Sequence, residues 1–167
     1  MVWLLVIGSA LAGKWEGVNG DVVAERDIAA PAAAVYAAVS DLRAFGEVFP
    51  DSCADEWVVG APSAGLGARA TVRYDVSMVH RRLPAEITRA EPDRVVDVDH
   101  AGKKGFTTRF ELAPTETGGT HLRMTTFLSP PPWPFRPAYF RKVQPTWRAC
   151  QAEALDGVAA RVAAAAP

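Results

Sequence analysis

Ile28-Ala29-Ala30-Pro31-Ala32-Ala33-Ala34-Val35-Tyr36 is the stretch on which the fold turns. Val22 to Ile28 leads into it as a strand. Pro31 suits the first turn of a helix, where a missing N–H costs nothing. Ala32 to Leu42 continues as helix, with Val35, Val39 and Leu42 at helical spacing and Tyr36 beside them. A second short helix or turn covers Ala44 to Val48 and ends before Phe49-Pro50-Asp51. A strand followed at once by a proline-opened helix sets up an α+β domain, provided that the rest of the chain supplies a sheet.

It does. Trp57 to Gly60 opens the sheet, and Ala61 to Gly67 is a turn rich in Gly and Pro. Ala68 to Val79 is the clearest strand: Ala70, Val72, Tyr74, Val76 and Met78 alternate with Arg69, Thr71, Arg73, Asp75 and Ser77. The next strand carries Leu83, Ala85 and Ile87, and Pro84 within it argues for an edge position or a bulge. Arg94 to His100 follows the turn Glu91-Pro92-Asp93. Phe106, Thr108, Phe110 and Leu112 then alternate with Thr107, Arg109 and Glu111. A last strand places Leu122, Met124, Thr126 and Leu128 on one face.

From about Pro137 the period becomes helical. Tyr139, Val143, Trp147, Cys150, Ala154 and Val158 form one apolar stripe on a helix long enough to cross a small sheet. Pro145 lies inside it and should kink or break it. Ser129 to Pro134, with four prolines, should be a stiff extended connection. There Trp133 or Phe135 caps a cavity, meets a membrane surface, or packs flat on the sheet edge.

Three features resemble the START/polyketide-cyclase-like (SRPBCC) superfamily, of polyketide cyclase/dehydrase and lipid-transport type. They are Ile28-Ala29-Ala30-Pro31 leading to Val35-Tyr36, the hairpin Glu111-Leu112-Ala113-Pro114 to Gly118-Gly119-Thr120-His121-Leu122, and the closing helix. The resemblance implies a helix-grip fold: a curved antiparallel sheet of six to seven strands wrapped around a long C-terminal helix, with two short helices after the first strand. It implies no activity, because these motifs mark a helix start and a turn rather than a reacting group.

Size and composition agree with one globular domain, which the resemblance makes a ligand-binding domain over residues 22–167, behind an apolar segment and linker at 1–21. Apolar residues make up 49% of the 167 and charged residues 22%, and the net charge is −1. That balance excludes long disorder, and with no basic block it leaves no nucleic-acid footprint. Lys103-Lys104 reads as a hairpin tip. Cys53 and Cys150 do not make a disulfide framework and belong to no C-x-x-C motif; the three histidines lack ligand spacing, so neither a metal nor a cofactor is expected. Met1 to Ala12 is too short to span a bilayer. Ala10-Leu11-Ala12 has signal-peptidase form without a preceding cation. Export, membrane contact through this segment and a cytosolic location all stay open, as does the oligomeric state.

The expected ligand is a hydrophobic or aromatic small molecule (lipid, quinone or polyketide-like) in a cavity between sheet and helix. Candidate lining residues are Tyr74, Met78, Asp97, Phe106, Phe110, Met124, Tyr139 and Trp147. Asp97 depends on strand parity: if Val96 and Val98 face inward, Asp97 and Asp99 are solvated, and the opposite parity turns both carboxylates into the cavity. Arg26 either anchors an anion there or leans to the rim. Acid/base candidates are Asp97, Asp99, His80, His100 and Tyr74, with no nucleophile–base pair legible. A carrier or sensor, a cofactor-free cyclase or dehydratase, and a protein-interaction module all fit. A polar constellation in the pocket would favour the enzyme, a dry pocket the carrier, and a pocket filled by its own side chains the interaction module.

Overall fold

Period-two alternation resolves into one curled sheet of seven antiparallel strands in a computed structural model that describes residues 21–77, 79–102, 105–128 and 132–166. The strands are β1 (Val22–Ile28), β2 (Ala54–Val59), β3 (Arg69–Val76), β4 (Val79–Glu91), β5 (Val95–His100), β6 (Phe106–Pro114) and β7 (Thr120–Phe127). Their spatial order is β1-β7-β6-β5-β4-β3-β2, so each hairpin pairs with its sequence neighbour and β1 closes on β7. Met1–Ala12, Met78, Lys103-Lys104 and Ser129–Pro131, each the subject of an expectation above, lie outside the described residues.

The two architectural motifs meet in space. Gly119, in the β6–β7 hairpin, comes so close to the end of β1 that a Cβ there would sit 2.5 Å from the Ile28 carbonyl oxygen. Thr120 Oγ1 donates to the Ala30 carbonyl at 2.8 Å. The hairpin glycine and threonine thus clamp the strand-to-helix junction, which is why signatures ninety residues apart belong together.

Helix α1 (Ala32–Val39) is shorter than the apolar spacing suggests. Asp41 accepts hydrogen bonds from the backbone N–H of Arg43 and Ala44 and so caps a new helix, α2 (Leu42–Gly46). The Gly/Pro-rich turn enforces the break: Leu42 N–H donates to Ser63 O, and Gly65 N–H to Ser40 O.

Pro84 is neither at an edge nor in a bulge; β4 lies between β3 and β5. Its carbonyl accepts from Ala101 N–H, so its nitrogen also faces β5, just past the end of that strand at His100. No bond to β3 is lost. The bulge falls instead between Ile87 and Arg89.

Pro145 does not break the closing helix. A turn at Arg136–Ala138, a π-helical turn at Tyr139–Val143 and helix α3 (Gln144–Ala164) run on continuously. Gln144 N–H reaches back five residues to the Tyr139 carbonyl, and this wider turn admits the proline ring. The predicted stripe (Tyr139, Val143, Trp147, Cys150, Ala154, Val158) is buried throughout. Val143 and Val158 each contribute about 1.5–3 kcal/mol by this burial.

The two cysteines pair, against the expectation from their number and spacing. Cys53 and Cys150 form a disulfide across 97 positions, joining the segment between α2 and β2 to the closing helix. Beside it, Arg161 bonds Glu47 at 2.6 Å. A Cβ on Gly157 would come within 2.8 Å of Val48 O, so only glycine allows that approach. Bridge, ion pair and glycine contact strap one flank of the helix down. No helix among the described residues is long and apolar enough to cross a membrane.

Candidate functional site

The inward parity of three strands and the helix stripe converge on one aromatic cluster. Tyr74 from β3, Phe106 from β6 and Trp147 from the helix lie with ring centroids 5.3–5.5 Å apart. Phe110 and Met124, paired across β6 and β7, line the same interior. These five of the expected residues come together.

Two of the remaining three do not join them. Tyr139 is buried beside Phe140 near the start of β1, where burial and then the Asp21 charge push its hydroxyl up to about 12. Met78 lies outside the described residues. Asp97 faces the other side of the sheet, because Val96, Val98 and His100 are the inward residues of β5. There Arg109 binds it through two parallel hydrogen bonds of 2.8 and 2.9 Å, while Asp99 accepts from Thr107 Oγ1 at 2.7 Å. Arg26 sits at the rim, 2.9 Å from Asp156 of the helix.

The interior is filled rather than hollow. The void inside the cluster is about 10 Å³, room for one water at most. Among the described residues the expected ligand-sized cavity between sheet and helix is therefore absent. Its volume is taken by Phe45, Phe49 and Trp57, which α2, the segment after it and β2 bring inward: Phe45 meets Phe110 edge-on at 5.1 Å, and Phe49 meets Tyr74 at 6.2 Å.

Polar groups in this interior are few and incompletely bonded. Tyr74 Oη lies 2.7 Å from His100 Nε2, and the imidazole stacks on Phe106 at 4.2 Å. Among the described residues His100 Nδ1 meets no acceptor in good hydrogen-bond geometry, although the backbone of Phe106 and Val98 lies near enough to favour the charged ring. Desolvation outweighs that help and lowers the imidazole to about 4, and it raises the Tyr74 hydroxyl. A second chain runs from Gln151 Nε2 to Thr126 Oγ1 at 2.5 Å, and on to Thr108 Oγ1 at 3.0 Å. Gln151 Oε1 and Trp57 Nε1 are buried without partners among the described residues. Among the described residues no group of three or more His, Cys, Asp or Glu forms a metal-holding cluster.

The sequence reading missed His100 and Thr108 as lining residues, along with Thr126 and Gln151, which are hydrogen-bonded in line with Thr108. The signal was present for the threonines, which hold apolar-parity positions, and for Gln151, four residues after Trp147 on the helix stripe. Trp133, 77% exposed, is not packed flat on the sheet edge.

The dyad makes stability depend on pH. His100 binds a proton near 6.5 when unfolded but only near 4 when folded. The unfolded chain thus takes up protons first as pH falls, and stability is lost between those values. The loss is about 3 kcal/mol, following from about 1.4 kcal/mol per pKa unit. Thermal melts of the wild type and His100→Gln from pH 7 down to pH 4 measure it; equal slopes would remove the assignment.

The sequence matches the model of the family described as polyketide cyclase/dehydrase and lipid transport over residues 19–163. No curated protein is a significant match. Among solved structures, a protein of Thermus thermophilus is 20% identical with a TM-score of 0.72, covering 88% of this chain and 99% of its own. The Zhui aromatase/cyclase of Streptomyces sp. R1128 is 14% identical with a TM-score of 0.67, covering 86% and 93%. Ara h 8.0201 is 12% identical with a TM-score of 0.60, covering 86% and 97%. At these identities the likeness is one of fold.

Proposed function

From the premise that the chain belongs to the polyketide cyclase/dehydrase and lipid transport family, a hydrophobic ligand-binding fold, we propose that it carries or senses an apolar, ring-bearing small molecule with a carbonyl or hydroxyl group. The observation that carries this reading is that Trp57 Nε1, His100 Nδ1 and Gln151 Oε1 are buried without a hydrogen-bond partner among the described residues. Leaving such atoms unpaired costs about 1–3 kcal/mol each, so a ligand that satisfied them would recover that cost. Aromatic walls with a few placed polar groups are the chemistry of a small-molecule site.

Binding rather than catalysis is favoured by the dyad. A general base works best near the operating pH. His100, near 4, is too weak a base at neutrality, and a hydroxyl raised by burial is too weak an acid. Tyr74 and His100 therefore act as neutral hydrogen-bonding fixtures. With a void of only about 10 Å³, a ligand enters by displacing the closing helix or the Phe45–Trp57 side. The buried bridge supports export or membrane attachment over a cytosolic location, because disulfides persist where thiols are oxidised.

A second reading, a protein-interaction module, draws on that filled interior and on an open groove of about 680 Å³ across β2 to β5, lined partly by Val58, Thr71 and Pro84. Native mass spectrometry of recombinant protein, followed by titration with a naphthalene-type fluorescent probe, separates the two. The carrier reading expects a co-purified or titratable ligand. It also expects roughly five- to tenfold weaker binding in Tyr74→Phe, the loss of about one neutral hydrogen bond. No bound mass and no saturable probe binding would leave the interaction module.

A further inference from the structure

The start of the closing helix concentrates apolar exposure and positive charge in one place. Trp133 is 77% exposed, Phe135 66% and Phe127 39%, which are three of the five most exposed large apolar side chains among the described residues. Pro132 and Pro134 flank Trp133 and lack N–H donors, so this segment cannot withdraw into a strand ladder. Along this interval of the chain the charge is equally one-sided, with Asp21 the acidic residue that lies against the helix start beside Tyr139. The chain carries −1 overall, yet no Asp or Glu occurs between Glu116 and Glu153. That interval supplies Arg141, Lys142 and Arg148, all on the solvent face of the helix opposite buried Tyr139, Val143 and Trp147.

Strand registers place this patch. Phe127 at the end of β7 pairs with Thr107, and Phe106 pairs with His100 at the end of β5. The β3–β4 and β5–β6 hairpins turn at the same end of the sheet. Phe127 therefore sits at the end of the domain nearest to His100 and Phe106, and the bond from Gln144 Nε2 to the Asp21 carbonyl, just before β1, brings the start of the closing helix to the same end. Asp75, also at this end, is held by His80 at 2.7 Å.

We propose that this end docks on an anionic phospholipid surface, with Trp133 and Phe135 entering the headgroup layer and Arg141, Lys142 and Arg148 resting on lipid phosphates. Large aromatic rings prefer the membrane–water interface. Cations carried on an exposed helix face match a negatively charged leaflet. A protein groove would demand shape complementarity, which two exposed rings beside prolines do not offer. The inference stands whether or not the interior binds a ligand; if it does, the docked end is where an apolar molecule would pass from the bilayer.

Sedimentation of the full chain with phosphatidylcholine vesicles, with and without phosphatidylserine, tests it. Binding is expected only with phosphatidylserine, and it should weaken with salt. Arg141→Gln/Lys142→Gln should lose about twenty-fivefold, at about fivefold per cation. Trp133→Ser/Phe135→Ser should lose roughly tenfold or more with an unchanged melting temperature. Failure to bind anionic vesicles at low salt, or undiminished binding by both variants, would overturn the proposal. So would concentration-dependent self-association abolished by Trp133→Ser, which would assign the patch to a second copy of the chain.

Discussion

Cys53→Ser/Cys150→Ser is expected to lower stability by about 2–5 kcal/mol, towards the upper end because the bridge closes a long loop. The cysteines are 97 positions apart, so the oxidised unfolded chain is heavily restricted and the reduced one is not. For a domain of this size the loss corresponds to roughly 10 °C in melting temperature. The local effect should be as informative as the global one. The bridge, Arg161–Glu47 and the Gly157–Val48 contact together hold the helix against the side of the interior that carries Phe45, Phe49 and Trp57. Without the bridge that flank opens more readily, and hydrogen exchange should rise first at residues 47–53 and 147–157. Differential scanning calorimetry with and without reductant checks the first claim. Identical melting temperatures would mean that the bridge does not form or does not matter.

Trp147→Ala is expected to cost about 3–5 kcal/mol, the range for deleting a buried indole. Trp147 is 3% exposed and touches both Tyr74 and Phe106, so the truncation leaves a void above the Tyr74–His100 pair. Such a void lined by aromatic and aliphatic groups should take up indole or benzene, and uptake should raise the melting temperature with probe concentration. Met124→Trp adds volume where only about 10 Å³ is free, and it should cost about 1–3 kcal/mol. Wild-type protein that binds the probe while Met124→Trp folds and does not would identify an interior that opens for ligand. Probe binding confined to Trp147→Ala would identify a packed core and would count against the proposed carrier role.

Whatever is written in a local period could be read from the chain alone. The alternation from Ala70 to Val76 and the helical stripe from Tyr139 to Val158 place side chains on faces within a few residues, so antiparallel sheet and closing helix were legible, and the Gly118-Gly119-Thr120 hairpin marked where two strands turn. Features that depend on partners far along the chain were settled by packing instead. In Val95-Val96-Asp97-Val98-Asp99 apolar residues occupy both parities, and pairing of Asp97 with Arg109 and Val98 with Thr108 selects the face. Pro84 was readable as a misfit, but its tolerance depends on where β5 ends. The disulfide joins residues whose spacing carries no motif; helix packing brings their Cα atoms to 6.0 Å. Free volume was the least legible of all. It is a small difference between the space a curved sheet encloses and the summed side chains that enter it, and Phe45, Phe49 and Trp57 enter from elements whose inward direction no local pattern encodes.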